Sequence, residues 1–269
     1  MTQVGSAARR ASNSKTMAGL ARFGLAARAF VYLVIGWLAI QIARGHGSRQ
    51  ANQRGALSDI AQQSYGIVLL WILAVGFAAY AVWRLSEAAF GTAAGGKKAG
   101  PRAQSLMRGI VYAALTVSTV GFIVGTAQQG QSQQQQTLTA RVMKHSYGRW
   151  AVGLIGLIVV LAGLGMIVEG VRRKFEKQLR MNELTGPART VVVGLGIVGT
   201  TARGIAFSIA GTLVVLAALT FNARKSTGLD GALRTLADRA YGPWLLGALA
   251  VGLVAFGLFG FAVARWAKT

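Results

Sequence analysis

The sequence predicts an all-α protein: a six-span transmembrane helical bundle built from three parallel two-helix repeats, with short amphipathic surface helices in the external loops. Three observations carry that expectation. Hydrophobic residues make up 53% of the 269-residue chain and charged residues only 13%, about half the usual share of a soluble domain. The apolar residues gather into six long runs with almost no charge, and about 20 such residues cross a bilayer. A Tyr-Gly pair occurs three times, each time with an Arg-x-x-x-aromatic segment whose Arg lies 37 to 39 residues upstream, and an acid recurs twice at one distance beyond it.

The uncharged runs are Ala29–Ala43, Ile67–Trp83, Gly109–Ala127, Trp150–Val168, Gly204–Phe221 and Leu245–Ala264. Each is continuous and rich in Leu, Ala and Gly, without the two-residue alternation of a barrel strand. A helix satisfies its own backbone hydrogen bonds where water is absent, so helices are expected. The basic stretch before the first run imitates a signal peptide. Retention is expected, because the run is long, no clear A-x-A site follows it and five more runs come after. The fifth run continues upstream to Val191. One straight helix from Val191 to Phe221 would exceed about 30 Å of hydrocarbon, which predicts a bend or an interfacial entry segment.

Aligning Tyr65-Gly66, Tyr147-Gly148 and Tyr241-Gly242 superimposes Glu87 on Glu169, each 22 residues beyond its Tyr, with Val263 in the third copy. Upstream, Arg28 with Tyr32, Arg108 with Tyr112 and Arg203 with Phe207 open the odd spans. Between the spans, Leu57, Ile60, Ala61 and Tyr65 recur as Thr139, Val142, Met143 and Tyr147, then as Leu233, Leu236, Ala237 and Tyr241. That spacing puts apolar groups on one helical face and predicts a short helix on the membrane surface. A left-handed turn at Gly66, Gly148 and Gly242 is expected to end it, with Pro243 in the first turn of the next helix.

Two spans per copy insert all copies in the same sense, so the repeats are parallel. Pseudo-threefold packing is the simplest closed arrangement, and a row of hairpins is the other. The boundaries are a basic tail at 1–20, repeat 1 at 21–91, a linker at 92–104, repeat 2 at 105–175, a linker at 176–190 and repeat 3 at 191–266. Gly121 and Gly125, a G-x-x-x-G, and the stripe of Ala202, Ala206 and Ala210 are read as helix-packing residues. Gln128–Gln136 reads as a solvated spacer, and Phe175–Gly186 as a brief continuation of the fourth helix.

The Arg-x-x-x-aromatic openings, the Tyr-Gly before each even span and the threefold two-span repeat resemble a bacterial membrane family known as domain of unknown function 1206. The resemblance covers Ala21 to Trp266, with Val263 as a departure in the third copy. It implies a multi-pass protein of the bacterial cytoplasmic membrane and no particular activity.

A net charge of +22 would suggest nucleic acid as the partner of a soluble protein. Here its distribution has another meaning. Seventeen of the 29 Lys and Arg lie in the two tails and the second and fourth loops, and nine in the first, third and fifth loops, so both termini are expected in the cytoplasm. The basic excess then serves topology and attraction to anionic lipids, about 1 kcal/mol per residue near the surface, and no nucleic-acid partner is expected.

Groups able to do chemistry are few. The chain has no Cys, and its two His lie outside the spans. His46, His145, Asp59, Asp230 and Asp238 match no metal-ligand or nucleophile spacing and read as solvated loop residues. No catalytic residue, metal or cofactor is expected. The candidate binding or ion-pair residues are Arg28, Arg108, Arg203, Glu87 and Glu169 at one depth, with Tyr32, Tyr112 and Phe207 beside the arginines. Pairing of these Arg and Glu residues across neighbouring helices is one expectation, and independent snorkelling is the other. The span centres carry no charge, unlike many ion-coupled carriers. The functional expectation is therefore a non-catalytic scaffold or accessory subunit that binds lipid, a membrane-protein partner or a second copy. The alternative is a channel or transporter for a small or anionic solute with an Arg/Glu ring on the cytoplasmic side.

This topology is open to a direct test, since the natural chain has no Cys. Cysteine at Gln134 should react with an impermeant reagent in intact cells, and cysteine at Lys97 should not. Labelling at Lys97 would reverse the orientation.

Overall fold

The structure is a computed structural model that describes residues 15–45, 51, 53–91, 99–125, 131–145, 147–238 and 241–267. His46, Ala127, Gln128 and the basic residues Arg9, Arg10, Arg49, Lys97, Lys98, Arg239 and Lys268 lie outside these. Six helices are long and apolar enough to cross a membrane: α1 (Lys15–Ala43), α3 (Gly66–Phe90), α4 (Ala99–Ile123), α6 (Gly148–Val171), α7 (Gly186–Leu219) and α9 (Gly242–Trp266). Three short helices, α2 (Gln53–Ala61), α5 (Gln131–Met143) and α8 (Gly228–Ala237), each sit between the two long helices of one repeat. Among the described residues there is no β-strand. The chain divides into two compact units, residues 1–30, 60–128 and 260–269 in one and residues 31–59 and 129–259 in the other.

In the first unit, α3 packs on α1 within its repeat and on α4 of the next. A Cβ added at Gly24 would run into Tyr80, one at Gly76 into Ala27, and one at Gly109 into Leu85. Within the same unit Gly260 lies against Ala29.

In the second unit, α6 packs on α7, the even helix of one repeat again meeting the odd helix of the next. Gly156, Gly163 and Gly170 on α6 recur every seven residues, as do Gly204 and Gly211 on α7. A seven-residue period keeps one stripe facing a partner along a left-handed crossing. A Cβ at Gly163 would lie 2.7 Å from the Gly204 carbonyl oxygen, and one at Gly204 would lie 2.7 Å from the Gly163 carbonyl oxygen. Gly156 and Gly211 repeat this arrangement two turns away. Gly125 of the G-x-x-x-G does not do this work. Gly125 lies past the end of α4 at φ +78°, where a Cβ would meet nothing. Helix α9 packs on α7 through Gly199 against Phe256 and through Gly252 against Ala202, and of the alanine stripe Ala202 and Ala206 are buried and Ala210 half-buried. Within this unit α9 also meets α1, through Gly36 against Val254 and Gly257 against Leu33.

The fifth span has no break in its helix, and its first turns extend beyond about 30 Å of hydrocarbon. Helix α7 is continuous for 34 residues, about 51 Å at 1.5 Å per residue. Two of its early glycines serve packing, because Gly196 admits the Phe175 ring and Gly199 the Phe256 backbone. The expected continuation of the fourth helix through Phe175–Gly186 does not form. Helix α6 stops at Val171, Arg173 turns the chain at φ 52°, and Phe175 is buried edge-on against Phe259 at 5.0 Å. Leu179 and Leu184 of the following segment are buried too.

The short helices form where predicted, but two details differ. Gly66, Gly148 and Gly242 do not have positive φ. They are needed because a Cβ would run into the carbonyl oxygens of Ile60, Val142 and Ala237, where the surface helix turns tightly into the span. The preceding Tyr65, Tyr147 and Tyr241 are not on the buried face, each being at least 75% exposed beside a span end where aromatic rings favour the bilayer interface. The glutamine run is not a loose spacer in its described part. Gln131 opens α5, Gln136 donates to the Arg224 carbonyl oxygen at 3.1 Å, and Thr139 donates to Ser226 in a buried contact at 3.0 Å.

Valine at Gly163 should cost on the order of 1–3 kcal/mol through overpacking, read as a lower melting temperature in detergent. Valine at Gly165, where a Cβ meets nothing within 4 Å, should stay within about 0.5 kcal/mol of the parent. Equal effects would refute the glycine-ladder account.

Candidate functional site

Charges inside apolar helices need internal partners, and the two units supply them differently. In the first unit a polar cluster forms where α3 ends and α4 begins. Arg84 donates to the Tyr80 hydroxyl through Nε at 3.0 Å and Nη2 at 2.9 Å, and through Nη1 to Glu87 Oε2 at 2.7 Å. Its guanidinium lies 4.1 Å from the Trp83 ring centre. Helical spacing dictates the set, since residues 80, 83, 84 and 87 fall on one face. Ser105 of α4 donates to the same Glu87 oxygen at 3.1 Å. Tyr112 stacks edge-on against Tyr80 at 4.4 Å. Glu87 is 8% exposed, and a carboxylate in the last turn of a helix opposes the helix dipole. Arg84 offsets that, and Arg102 donates to the Ala88 and Ala89 carbonyl oxygens at the same helix end.

The second unit holds Arg203 in an aromatic box. Its guanidinium lies 5.3 Å from the Tyr32 ring centre, 5.1 Å from Phe207 and 4.8 Å from Phe256. Tyr32 and Phe256 meet edge-on at 4.7 Å. The Arg203 Nε is buried with no hydrogen-bond partner among the described residues. Arg203 lies about 24 Å from the Leu219 end of α7, so about 6 Å inside the far edge of a hydrocarbon layer about 30 Å thick. At that depth the cost is below the roughly 2.5–3.5 kcal/mol of an arginine at the helix centre, and three ring contacts of about 0.5–2 kcal/mol each offset it.

On the loop side of the second unit, Asp230 is buried instead of solvated. It accepts from the Ala51 N–H at 2.8 Å and pairs with Arg234 at 3.2 Å. Asp238 and His145 are exposed, and no group of three His or acidic residues that could hold a metal occurs among the described residues.

Three two-span units, each opening on an arginine and turning at Tyr-Gly, now have a counterpart among known proteins. The family described as Domain of Unknown Function (DUF1206) matches at residues 23–91, 103–173 and 198–267. The chain belongs to this family. The uncharacterized protein YxxB of Bacillus subtilis (strain 168) is 29% identical to this DUF1206 chain over 241 residues, covering 88% of the chain and 86% of the relative. No solved structure matches the chain significantly.

Of the residues singled out in the DUF1206 sequence, the structure brings together Arg203, Tyr32 and Phe207, and places Tyr112 and Glu87 in the Tyr80 cluster. Arg28 and Arg108 are half-buried on α1 and α4. Glu87 takes Arg84 of its own helix, and Glu169 accepts from Gln178 Nε2 at 3.2 Å. Arg84 follows directly on the apolar run that ends at Trp83, and α3 carries it within the helix by continuing to Phe90. The repeat register contained a further clue. Tyr80 and Phe256 both lie 15 residues beyond the Tyr of a Tyr-Gly pair, and each stacks on the aromatic of an odd span, Tyr112 and Tyr32.

A double-mutant cycle of Arg84→Gln with Glu87→Gln should show coupling of at least about 1 kcal/mol, since removing one partner of a buried pair leaves the other unpaired. The same cycle at Arg180 and Glu183, whose side chains are 36% and 50% exposed, should give about 0–1 kcal/mol. Coupling at Arg84 no larger than at Arg180 would remove the ion pair from the stabilising interactions.

Proposed function

We propose that this chain is a multi-pass protein of the bacterial cytoplasmic membrane, both termini in the cytoplasm, that acts as a non-catalytic scaffold or accessory subunit. It binds lipid and membrane-protein partners through the outer faces of its spans. The observation behind this reading is the uncovered apolar surface of α4 and α6. Only 17% of the apolar window is buried in each, against 44% or more in the other four spans. On α6 the exposed face includes Ile155, Ile158 and Leu161, with a notch at Ala162 and Gly165. Lipid tails are as apolar as these side chains, so association there depends on shape, and small residues allow close approach. The Arg84 cluster supports the same reading, because its charges satisfy one another. The transporter alternative has one observation in its favour: Arg203 is a cation held by rings with no acid paired to it among the described residues.

Photo-crosslinkers at Ile158 and Val117 in intact cells, with flux assays on the purified protein in liposomes, separate the readings. The scaffold reading expects a discrete protein adduct and no passage of phosphate, chloride or small organic anions. Adducts to lipid alone would reject a protein partner on these faces. Anion flux lost in Arg203→Gln would establish the transporter.

A further inference from the structure

A cavity of about 380 Å³ opens where the chain returns from α6 into α7, within the range of small-ligand sites. Arg173, Glu176 and Arg189 line it, with Thr190 beside them and Val193, Gly194 and Ile197 along α7. The side chains of its three charged residues make no hydrogen bond or ion pair with any described residue. Arg173 is held at φ 52°, a conformation that bulky residues rarely adopt. A Cβ at Gly194 would meet nothing within 4 Å, so the cavity is open on that side.

Depth shows what reaches it. At about 1.5 Å per residue, the last residue of α6 lies roughly 35 Å from the Gly148 end, and Ile197 and Val193 lie roughly 33 and 39 Å from the Leu219 end of α7. The hydrocarbon layer is about 30 Å thick, and about 40–45 Å with headgroups. With Gly148 and Leu219 at one edge of the hydrocarbon, Ile197 lies in the headgroup layer of the opposite leaflet and Arg189, roughly 45 Å from Leu219, at its aqueous side, so the cavity opens from the water into the headgroups.

We propose that this cavity is a phospholipid headgroup site that selects a phosphodiester bearing a primary ammonium, as in phosphatidylethanolamine. Arg173 and Arg189 offer paired N–H donors to the phosphate, and the Thr190 hydroxyl adds another. Two arginines alone would accept any phosphate. Glu176 makes the site discriminate, because its carboxylate pairs with an ammonium and repels a second anionic group. Ile197, nearest the hydrocarbon, meets the glycerol and ester region where the acyl chains begin, and Gly194 leaves room for it. The proposal rests on the chain lying in a bilayer, as in the reading above, and not on any protein partner.

Native mass spectrometry of the full chain in mild detergent, with phosphatidylethanolamine and phosphatidylglycerol added at equal concentration, tests it. The parent should retain phosphatidylethanolamine preferentially, Glu176→Gln should shift the ratio toward phosphatidylglycerol by about tenfold, and Arg173→Gln with Arg189→Gln should lower occupancy by both lipids by about tenfold or more. Gly194→Leu should block binding at unchanged melting temperature, which keeps the test valid if the double arginine variant fails to fold. Equal retention of both lipids by the parent, or a ratio unmoved by Glu176→Gln, overturns the proposal. Displacement by millimolar inorganic phosphate with no lipid retained assigns the site to a soluble anion and also overturns it. Absence of a protein adduct at Ile158 would instead count against the scaffold alone.

Discussion

Backbone-to-backbone approach at glycine is the constraint on which the helix packing depends. Inside a bilayer the hydrophobic effect gives helices no reason to associate, so the contacts must come from dispersion and weak Cα–H···O bonds, both of which fall off steeply with distance. A single methyl group at Gly163 or Gly204 would meet the opposing carbonyl oxygen and force the axes apart. The same rule operates where α3 meets α1 at Gly24 and Gly76, and where α9 meets α7 at Gly199 and Gly252. Large side chains then occupy the remaining gaps, as Phe175 does over Gly196.

Once the helices are this close, charge has to be accommodated within the contacts. The repeats share a register and resolve this in different ways. Arg84 of the first repeat corresponds to Met166 and Gly260, and Glu87 to Glu169 and Val263. Where the first repeat builds a guanidinium–carboxylate–hydroxyl cluster, the third has Gly260 packed on Ala29. Lacking the acid, the third repeat surrounds its own arginine with rings. Because Tyr80 and Phe256 are equivalent positions, one aromatic site serves as hydrogen-bond acceptor for an arginine in one copy and as part of a cation–π box in the other.

The loop helices show what polar residues contribute when water is at hand. In the second unit, Ala51 from the first repeat and Gln136 and Thr139 from the second all bond to the third repeat's loop, at Asp230, Arg224 and Ser226. Asp230 stands in the first turn of α8, where a negative charge is favoured by the helix dipole, so one side chain stabilises its own helix and anchors another loop. The glutamines suit this role because their long amide side chains reach and satisfy irregular backbone, and they favour helix.

The sequence by itself determined the number of spans, their helical character, the surface helix between them and the threefold repeat. These follow from local composition and from periods of 3.6 residues and of a whole repeat, both printed in one dimension. The Tyr-Gly turns were also legible as turns, although their reason was not: left-handed φ and close approach both demand glycine, and only coordinates separate them. The seven-residue glycine ladder of α6 and α7 was present in the sequence, but glycine is common in every span, so spacing alone could not mark which glycines face a partner. Partner choice was decided by tertiary structure. Arg84 and Glu87 are neighbours on one helix face, but Ser105 reaches Glu87, and Arg203 finds Tyr32 and Phe256, only once helix rotation and depth are set by packing.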